Sequence, residues 1–217
     1  MPDAFYPLSS EFDVTKRAQM AVYLSGREIK LMIHAAAFTS PPKCDADPLI
    51  ALDVNIVGTG NVVKLCHERN IKLIYISTDY VFAGDRGNYQ EDDPVLPVNK
   101  YAWSKLGGEC TVKLYDNSLI IRTSFGPNSF PYSAAFVDQW TSRQSVSQIA
   151  AKIVSLIDKP ITGVVHVGGQ RQTVYNYAKS LDPAVEIGKI SINDVQFKVP
   201  RDTSLNCERF TKILSKK

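Results

Sequence analysis

The chain has 217 residues, 44% of them hydrophobic and 22% charged, with a net charge of +3, which suffices for one well-buried domain and leaves the basic residues too scattered for a nucleic-acid footprint. No apolar run approaches membrane-spanning length, and residues 1–5 lack the charged start and apolar core of a secretory signal, so no membrane span is expected. Cys44, Cys66, Cys110 and Cys207 are widely spaced, with no pair at metal-ligand spacing, which predicts no metal site and reduced thiols in the cytoplasm.

Residues 14–29 place Val14, Ala18, Ala21, Val22 and Ile29 on one side of a predicted helix. Residues 31–37 form a short continuous apolar run, as expected of a strand buried on both faces of a parallel sheet. A helix is predicted over 48–69, a strand over 72–77, a helix over 101–115 and a strand over 118–123. Beyond Ser124 the pattern loosens into a loop at 127–132, a helix at 146–157, a strand at 163–167 and a helix at 173–180. The basic tail, 212–217, reads as a frayed, solvated end. Strands alternating with helices at this spacing predict an α/β fold with a Rossmann-like, doubly wound parallel sheet. Residues 1–124 read as the dinucleotide-binding part and 125–217 mostly as a small substrate-side lobe, with some elements returning to the sheet.

The chemistry concentrates between the predicted strand at 72–77 and the helix that follows. Ser77-Thr78-Asp79-Tyr80-Val81-Phe82 closes the strand, and Tyr101-Ala102-Trp103-Ser104-Lys105 opens the helix. Residues four apart on a helix share a face, so Tyr101 and Lys105 are expected to point into one pocket. A free phenol has a pKa near 10, and a nearby ammonium that stabilises the phenolate would bring it towards working pH. Thr78, at the carboxyl end of a buried strand, is placed to hydrogen-bond a carbonyl oxygen that the tyrosine protonates. The same Tyr-to-Lys spacing recurs at Tyr175 and Lys179, without a strand-borne threonine or a proline-marked loop, and reads as a decoy. His34 reads as a satisfied core histidine, Trp103 as packed between helices, and Asp79 as pointing to the opposite side of its strand from Thr78.

A nicotinamide-binding sheet normally opens with a strand, a glycine-rich turn and a helix. Residues 1–12 contain no glycine, and Gly58-Thr59-Gly60 lies inside the predicted helix at 48–69, where close helix packing is its expected role.

These motifs resemble the extended short-chain dehydrogenase/reductases, and within them the dTDP-4-dehydrorhamnose reductase-like enzymes that bind sugar nucleotides. The resemblance is carried by Ile33-His34-Ala35-Ala36-Ala37-Phe38-Thr39, by residues 55–61, by Ser77 to Phe82 with Tyr101 and Lys105, by Ile121-Arg122-Thr123-Ser124 and by residues 199–206. It implies Tyr101 as proton donor to the substrate carbonyl, Lys105 as its pKa-lowering partner and a ribose contact, and Thr78 as the carbonyl-orienting hydroxyl. It implies Ala36, Ala37, Phe38, Thr39, Asn55, Ser77, Tyr101 and Lys105 along the cofactor groove, Asn55 bracing the active-site backbone, and Thr78, Asp79 and Tyr101 against substrate.

The implied activity is NAD(P)H-dependent reduction of a nucleotide-linked 4-keto-6-deoxy sugar, with NADP or NAD as cofactor and a homodimer as a possible assembly. Against the family pattern, the opening strand–glycine loop–helix–strand is missing, so the sheet is expected to be N-terminally truncated, with the edge of its first strand unpaired or covered, and dinucleotide binding to be weak. A non-catalytic sugar-nucleotide-binding or regulatory subunit and a nucleotide-sugar epimerase or dehydratase are the alternative readings.

Overall fold

The elements of the computed structural model, which describes residues 4–215, begin with α1 (Arg17–Tyr23), β1 (Leu31–His34), α2 (Pro41–Ala46) and α3 (Pro48–Ala51). A π-helical stretch, Leu52–Gly58, then runs into α4 (Thr59–Arg69), β2 (Lys72–Ile76), a 3₁₀ turn at Asp79–Val81, α5 (Lys100–Val112) and β3 (Ser118–Thr123). Four short strands follow, β4 (Phe125–Gly126), β5 (Ala134–Phe136), β6 (Trp140–Thr141) and β7 (Gln144–Ser145), then α6 (Val146–Val154) and β8 (Gly163–Val167). The chain closes with β9 (Gln172–Thr173), α7 (Val174–Leu181), β10 (Gly188–Ile190), a 3₁₀ turn at Ile192–Asp194 and α8 (Glu208–Ser215).

The apolar runs become one sheet because each has a greasy side on both faces. β1, β2, β3 and β8 pair in that order, all parallel. Alternate residues of a strand face opposite ways. Leu73, Tyr75 and Ile120 therefore join Met20, Val62, Leu65 and Cys66 under α1, α4 and α5. Ile74, Leu119 and Ile121 point to the other face, against Ile149 and Ile153 of α6 and Phe210 of α8. A sheet with helices on both faces is the doubly wound arrangement. Among the described residues β1 pairs with β2 alone and so forms an edge of the sheet.

Local chemistry sets the element ends. Asn99 caps α5 by accepting a hydrogen bond from the Ala102 amide at 2.9 Å, so the helix starts at Lys100. α4 stops at Asn70, which takes a left-handed conformation (φ 52°). Ser145 and Gln148 make a reciprocal capping box at the start of α6. The helix expected over 14–29 is confined to Arg17–Tyr23, because the backbone turns at Gly26 with φ 70°. The first strand ends at His34, where its ladder with β2 ends, and Ala35 to Ala37 leave the sheet.

The helical run over 48–69 is continuous, with its middle turn widened to π-helical geometry. It is long and apolar enough to cross a membrane by composition; here it packs against α5 and the sheet, with 44% of its most apolar window buried. Residues 212–215, expected in a frayed end, lie instead in α8, because Phe210 and Ile213 have the sheet face to cover.

Candidate active site

The site lies at the carboxyl ends of β1 and β2, beside the start of α5, whose Lys105 reaches the Ile76 carbonyl. After Ile76 the backbone is still tied to β3, with the Ser77 amide donating to the Ile121 carbonyl at 2.7 Å. It then turns at Thr78, whose hydroxyl accepts from the Tyr80 amide at 3.2 Å and so caps the 3₁₀ turn. The turn breaks strand alternation. Asp79 therefore lies on the same side as Thr78, and the Thr78 hydroxyl donates to its carboxylate at 3.2 Å, contrary to the opposite-side placement expected for a strand.

Tyr101 stands half-buried on the first turn of α5, its ring edge-on to Tyr80 with centroids 6.3 Å apart. Thr78 favours the phenolate, but burial is the larger effect and pushes the pKa up. The expected lowering by Lys105 is not what this geometry produces. The Lys105 ammonium donates to the Ile76 carbonyl at 2.8 Å and sits 4.2 Å from the centre of the Tyr75 ring. Burial brings the Lys105 pKa down to about 7, against the opposing pull of the Glu109 charge. Burial thus favours the protonated phenol of Tyr101 and the neutral amine of Lys105 alike.

Asn55 is buried in the π-helical stretch and clamps the segment leaving β1. Its side chain accepts from the Phe38 amide at 2.8 Å and donates to the Phe38 carbonyl at 2.9 Å and to the Ser104 hydroxyl at 2.8 Å. Ser104 in turn donates to the Tyr101 carbonyl at 2.7 Å. One amide thereby ties the Ala36-Ala37-Phe38-Thr39 segment to the helix carrying Tyr101. Ala36 and Thr39 are exposed, Ala37 and Phe38 partly so, leaving an open backbone shelf beside the Tyr101 turn. His34 lies beneath this segment as a core histidine, bonded to Thr59 at 3.0 Å, and burial followed by the Lys105 charge lowers its pKa to about 3.

Several contacts around the site escaped the sequence reading. Glu109, one turn beyond Lys105, is fully buried; it accepts from Ser77 Oγ at 2.5 Å and pairs with Arg122 at 2.9 Å, locking α5 to the ends of β2 and β3. Its spacing of four from Lys105 was the available signal. Asp79 accepts from Thr203 at 2.5 Å and Thr141 at 3.4 Å, contacts from distant segments that no local spacing encodes. Gln139 donates to the Tyr80 phenol at 2.7 Å.

Trp103, expected between helices, is 53% exposed and lines a groove with Lys100, Phe197 and Lys198, because α5 turns that face away from the sheet. The Tyr175 and Lys179 pair lies elsewhere: the lysine donates to the carbonyls of Pro183 and Val185. Gly58 packs tightly, since an added Cβ would meet Val14 at 2.8 Å.

The residues present fit one end of a dinucleotide. Tyr101, Lys105 and the 36–39 shelf suit a nicotinamide and its ribose, whereas among the described residues no glycine-rich turn joins a strand to a helix N-terminus to receive a pyrophosphate.

A parallel sheet covered on both faces, with Thr, Tyr and Lys gathered at its carboxyl edge, defines a Rossmann-like protein of the extended short-chain dehydrogenase/reductase class. The chain belongs to the RmlD substrate binding domain family, whose profile matches residues 3–146. It is 31% identical over 182 residues to the probable low-salt glycan biosynthesis reductase Agl14 of Haloferax volcanii, covering 74% of this chain and 61% of that one. Among solved structures it superposes with a TM-score of 0.85 on a hypothetical dTDP-4-dehydrorhamnose reductase from Sulfolobus tokodaii, at 30% identity, over 97% of this chain and 81% of the other. With dTDP-4-dehydrorhamnose reductase from Bacillus anthracis in complex with NADP the TM-score is 0.87, at 25% identity over 95% and 83% of the two chains. The chain spans about three fifths of the length of the first curated relatives that it matches.

Proposed function

We propose that this chain carries the carbonyl-binding and proton-donating part of an NAD(P)H-dependent reductase acting on a nucleotide-linked 4-keto-6-deoxy sugar. The observation that carries the reading is the convergence of Thr78, Tyr101 and Lys105 at the carboxyl edge of the sheet, Thr78 on the turn that follows β2 and Lys105 bonded to the Ile76 carbonyl one turn of α5 beyond Tyr101. The printed names of the relatives, a glycan biosynthesis reductase and a dTDP-sugar reductase complexed with NADP, support it. In this reading the Thr78 hydroxyl turns its single O–H from the Asp79 carboxylate to the substrate carbonyl oxygen, and Tyr101 delivers its phenolic proton to that oxygen. A bound nicotinamide cofactor supplies the hydride to the carbonyl carbon. Lys105, whose ammonium is held at the Ile76 carbonyl, restores the proton to Tyr101 indirectly, through solvent or a ribose hydroxyl of the bound cofactor, a role suited to a pKa near 7. Asn55 and Ser77 act by holding backbone, and Asp79 by fixing Thr78.

Free thiols at all four cysteines suit a reducing, cytoplasmic setting. The exposed apolar side chains Leu49, Ile50, Leu52 and Val57 on one helical run support a homodimer.

Tyr101→Phe keeps the ring and its packing and removes the proton. Turnover of a dTDP-4-keto-6-deoxy sugar should fall about 10²–10⁴-fold, with substrate affinity nearly unchanged. Tyr175→Phe should leave turnover as it was. Equal behaviour of the two variants would make Tyr101 a structural residue and remove the basis of the assignment.

A further inference from the structure

Arg143 sits between β6 and β7 at the rim of the candidate site, and nothing assigned so far uses it. Its backbone is fixed: its carbonyl accepts from the Gln172 side chain at 3.1 Å, and the preceding Ser142 carbonyl accepts from the Gly169 amide at 2.8 Å. Its side chain is half-buried and leans along the Tyr177 ring, 5.9 Å from the centroid. The Nε donates a long bond of 3.5 Å to Ser124 Oγ, and the guanidinium faces the Tyr80 phenol, which stands edge-on to Tyr101.

The arginines with carboxylate partners set the contrast. Arg122 pairs with Glu109, Arg171 with Asp202, Arg86 with Asp93 and Arg17 with Glu68, whereas Arg143 makes no ion pair among the described residues. The nearby acid, Asp79, feels the Arg143 charge but forms no ion pair with it, taking its hydrogen bonds from the hydroxyls of Thr78 and Thr203, with Thr141 at 3.4 Å. A guanidinium has five N–H donors in a rigid fork that matches phosphate and carboxylate oxygens. Here most of that fork is left without a protein acceptor, at the edge of a site lined by Tyr80 and Tyr101.

We propose that Arg143 binds a phosphoryl group of the substrate, one aromatic ring away from the reacting carbonyl, and so selects sugars that carry a nucleoside diphosphate. The proposal rests on the reductase reading for its substrate and on the unpaired fork for its chemistry. The same chemistry would suit a phosphate of the cofactor. The position favours the substrate, because Arg143 lies beside Tyr80 and Ser124, on strands that follow β3, whereas the shelf suited to the nicotinamide follows β1.

Calorimetric titration of the whole chain with dTDP, inorganic pyrophosphate and NADPH, in wild type and Arg143→Gln, separates these sources. A charge-assisted hydrogen bond is worth roughly 1.5–3 kcal/mol, so dTDP and pyrophosphate should bind about 10- to 150-fold more weakly to the variant, with NADPH affinity unchanged. Arg143→Lys, which keeps the charge and loses the fork, should recover part of the dTDP affinity. Equal dTDP binding by wild type and Arg143→Gln, no binding of dTDP or pyrophosphate to wild type, or a loss confined to NADPH would each overturn the proposal. A loss of dTDP affinity in Arg143→Gln, alongside full turnover in Tyr101→Phe, would instead sink the reductase mechanism and leave the phosphoryl site standing. If Arg143 merely balanced Asp79, the substitution would lower the melting temperature and leave dTDP affinity intact.

Discussion

Lys105 should make the folded protein less stable at neutral pH than it would be without a charge at that position. Its side chain is 3% exposed, and burial lowers its pKa from 10.5 to about 7. The unfolded chain keeps the proton up to about pH 10.5, whereas the folded chain releases it near 7. Between those values the unfolded state binds more protons, so stability rises with pH. With one pK unit worth about 1.4 kcal/mol, the ionisation opposes folding by roughly 4 kcal/mol at pH 7 and by roughly 1–2 kcal/mol less at pH 8.5.

Lys105→Met keeps an unbranched chain under the helix and removes the titration. It also forfeits the bond to the Ile76 carbonyl, a loss of roughly 1.5–3 kcal/mol. The variant should therefore be as stable as wild type, or more so, at pH 7, while being inactive as a reductase. Urea melts between pH 7 and 8.5 would measure both slopes, in a window below the main Cys66 and Cys207 effect. Burial raises those thiols to about 12 and about 11, so they lower stability only as pH climbs beyond the free thiol value of 9.0. A wild type whose stability is flat over this window, or a variant that retains the slope, would refute the account of Lys105 as a buried ammonium.

The lock between α5 and the sheet should be costly to break and cheap to replace. Glu109→Ala leaves Arg122 buried without its carboxylate and should cost about 3–5 kcal/mol in urea unfolding, whereas Glu109→Leu with Arg122→Met should regain most of that loss; equal loss in both would show that packing rather than charge holds the joint. Acid should act through the histidines: His34 and His166, both lowered to about 3 by burial, bind protons in the unfolded chain first, so stability should fall as pH drops from 6.5 towards 3. His34→Gln should remove about one proton from that slope, roughly 1.4 kcal/mol per pH unit, and an unchanged slope in acid melts would count against a neutral His34.

The sheet was legible in the chain because its signal is local. Continuous apolar runs at 72–76, 118–123 and 163–167 have to be buried on both faces, and the helices between them carry their own caps, such as Asn99 and Ser145. Thr78, Tyr101 and Lys105 were equally readable, since strand end and helical spacing are properties of neighbouring residues. The environment of those groups was not. Whether Lys105 lowers the Tyr101 pKa depends on where its ammonium goes, and the Ile76 carbonyl and Tyr75 ring, contributed by β2, draw it away from that task. The side on which Asp79 falls depends on Thr203, more than a hundred residues later, and on a 3₁₀ turn that strand alternation does not anticipate. Arg143 acquires a meaning only when β6 and β7 bring it to Tyr80 with Asp79 already satisfied. Short-range periodicity determines which residues are buried and on which element; partners far apart in sequence meet only through the packed sheet, and those partners decide charge, acidity and which donors are left over for a ligand.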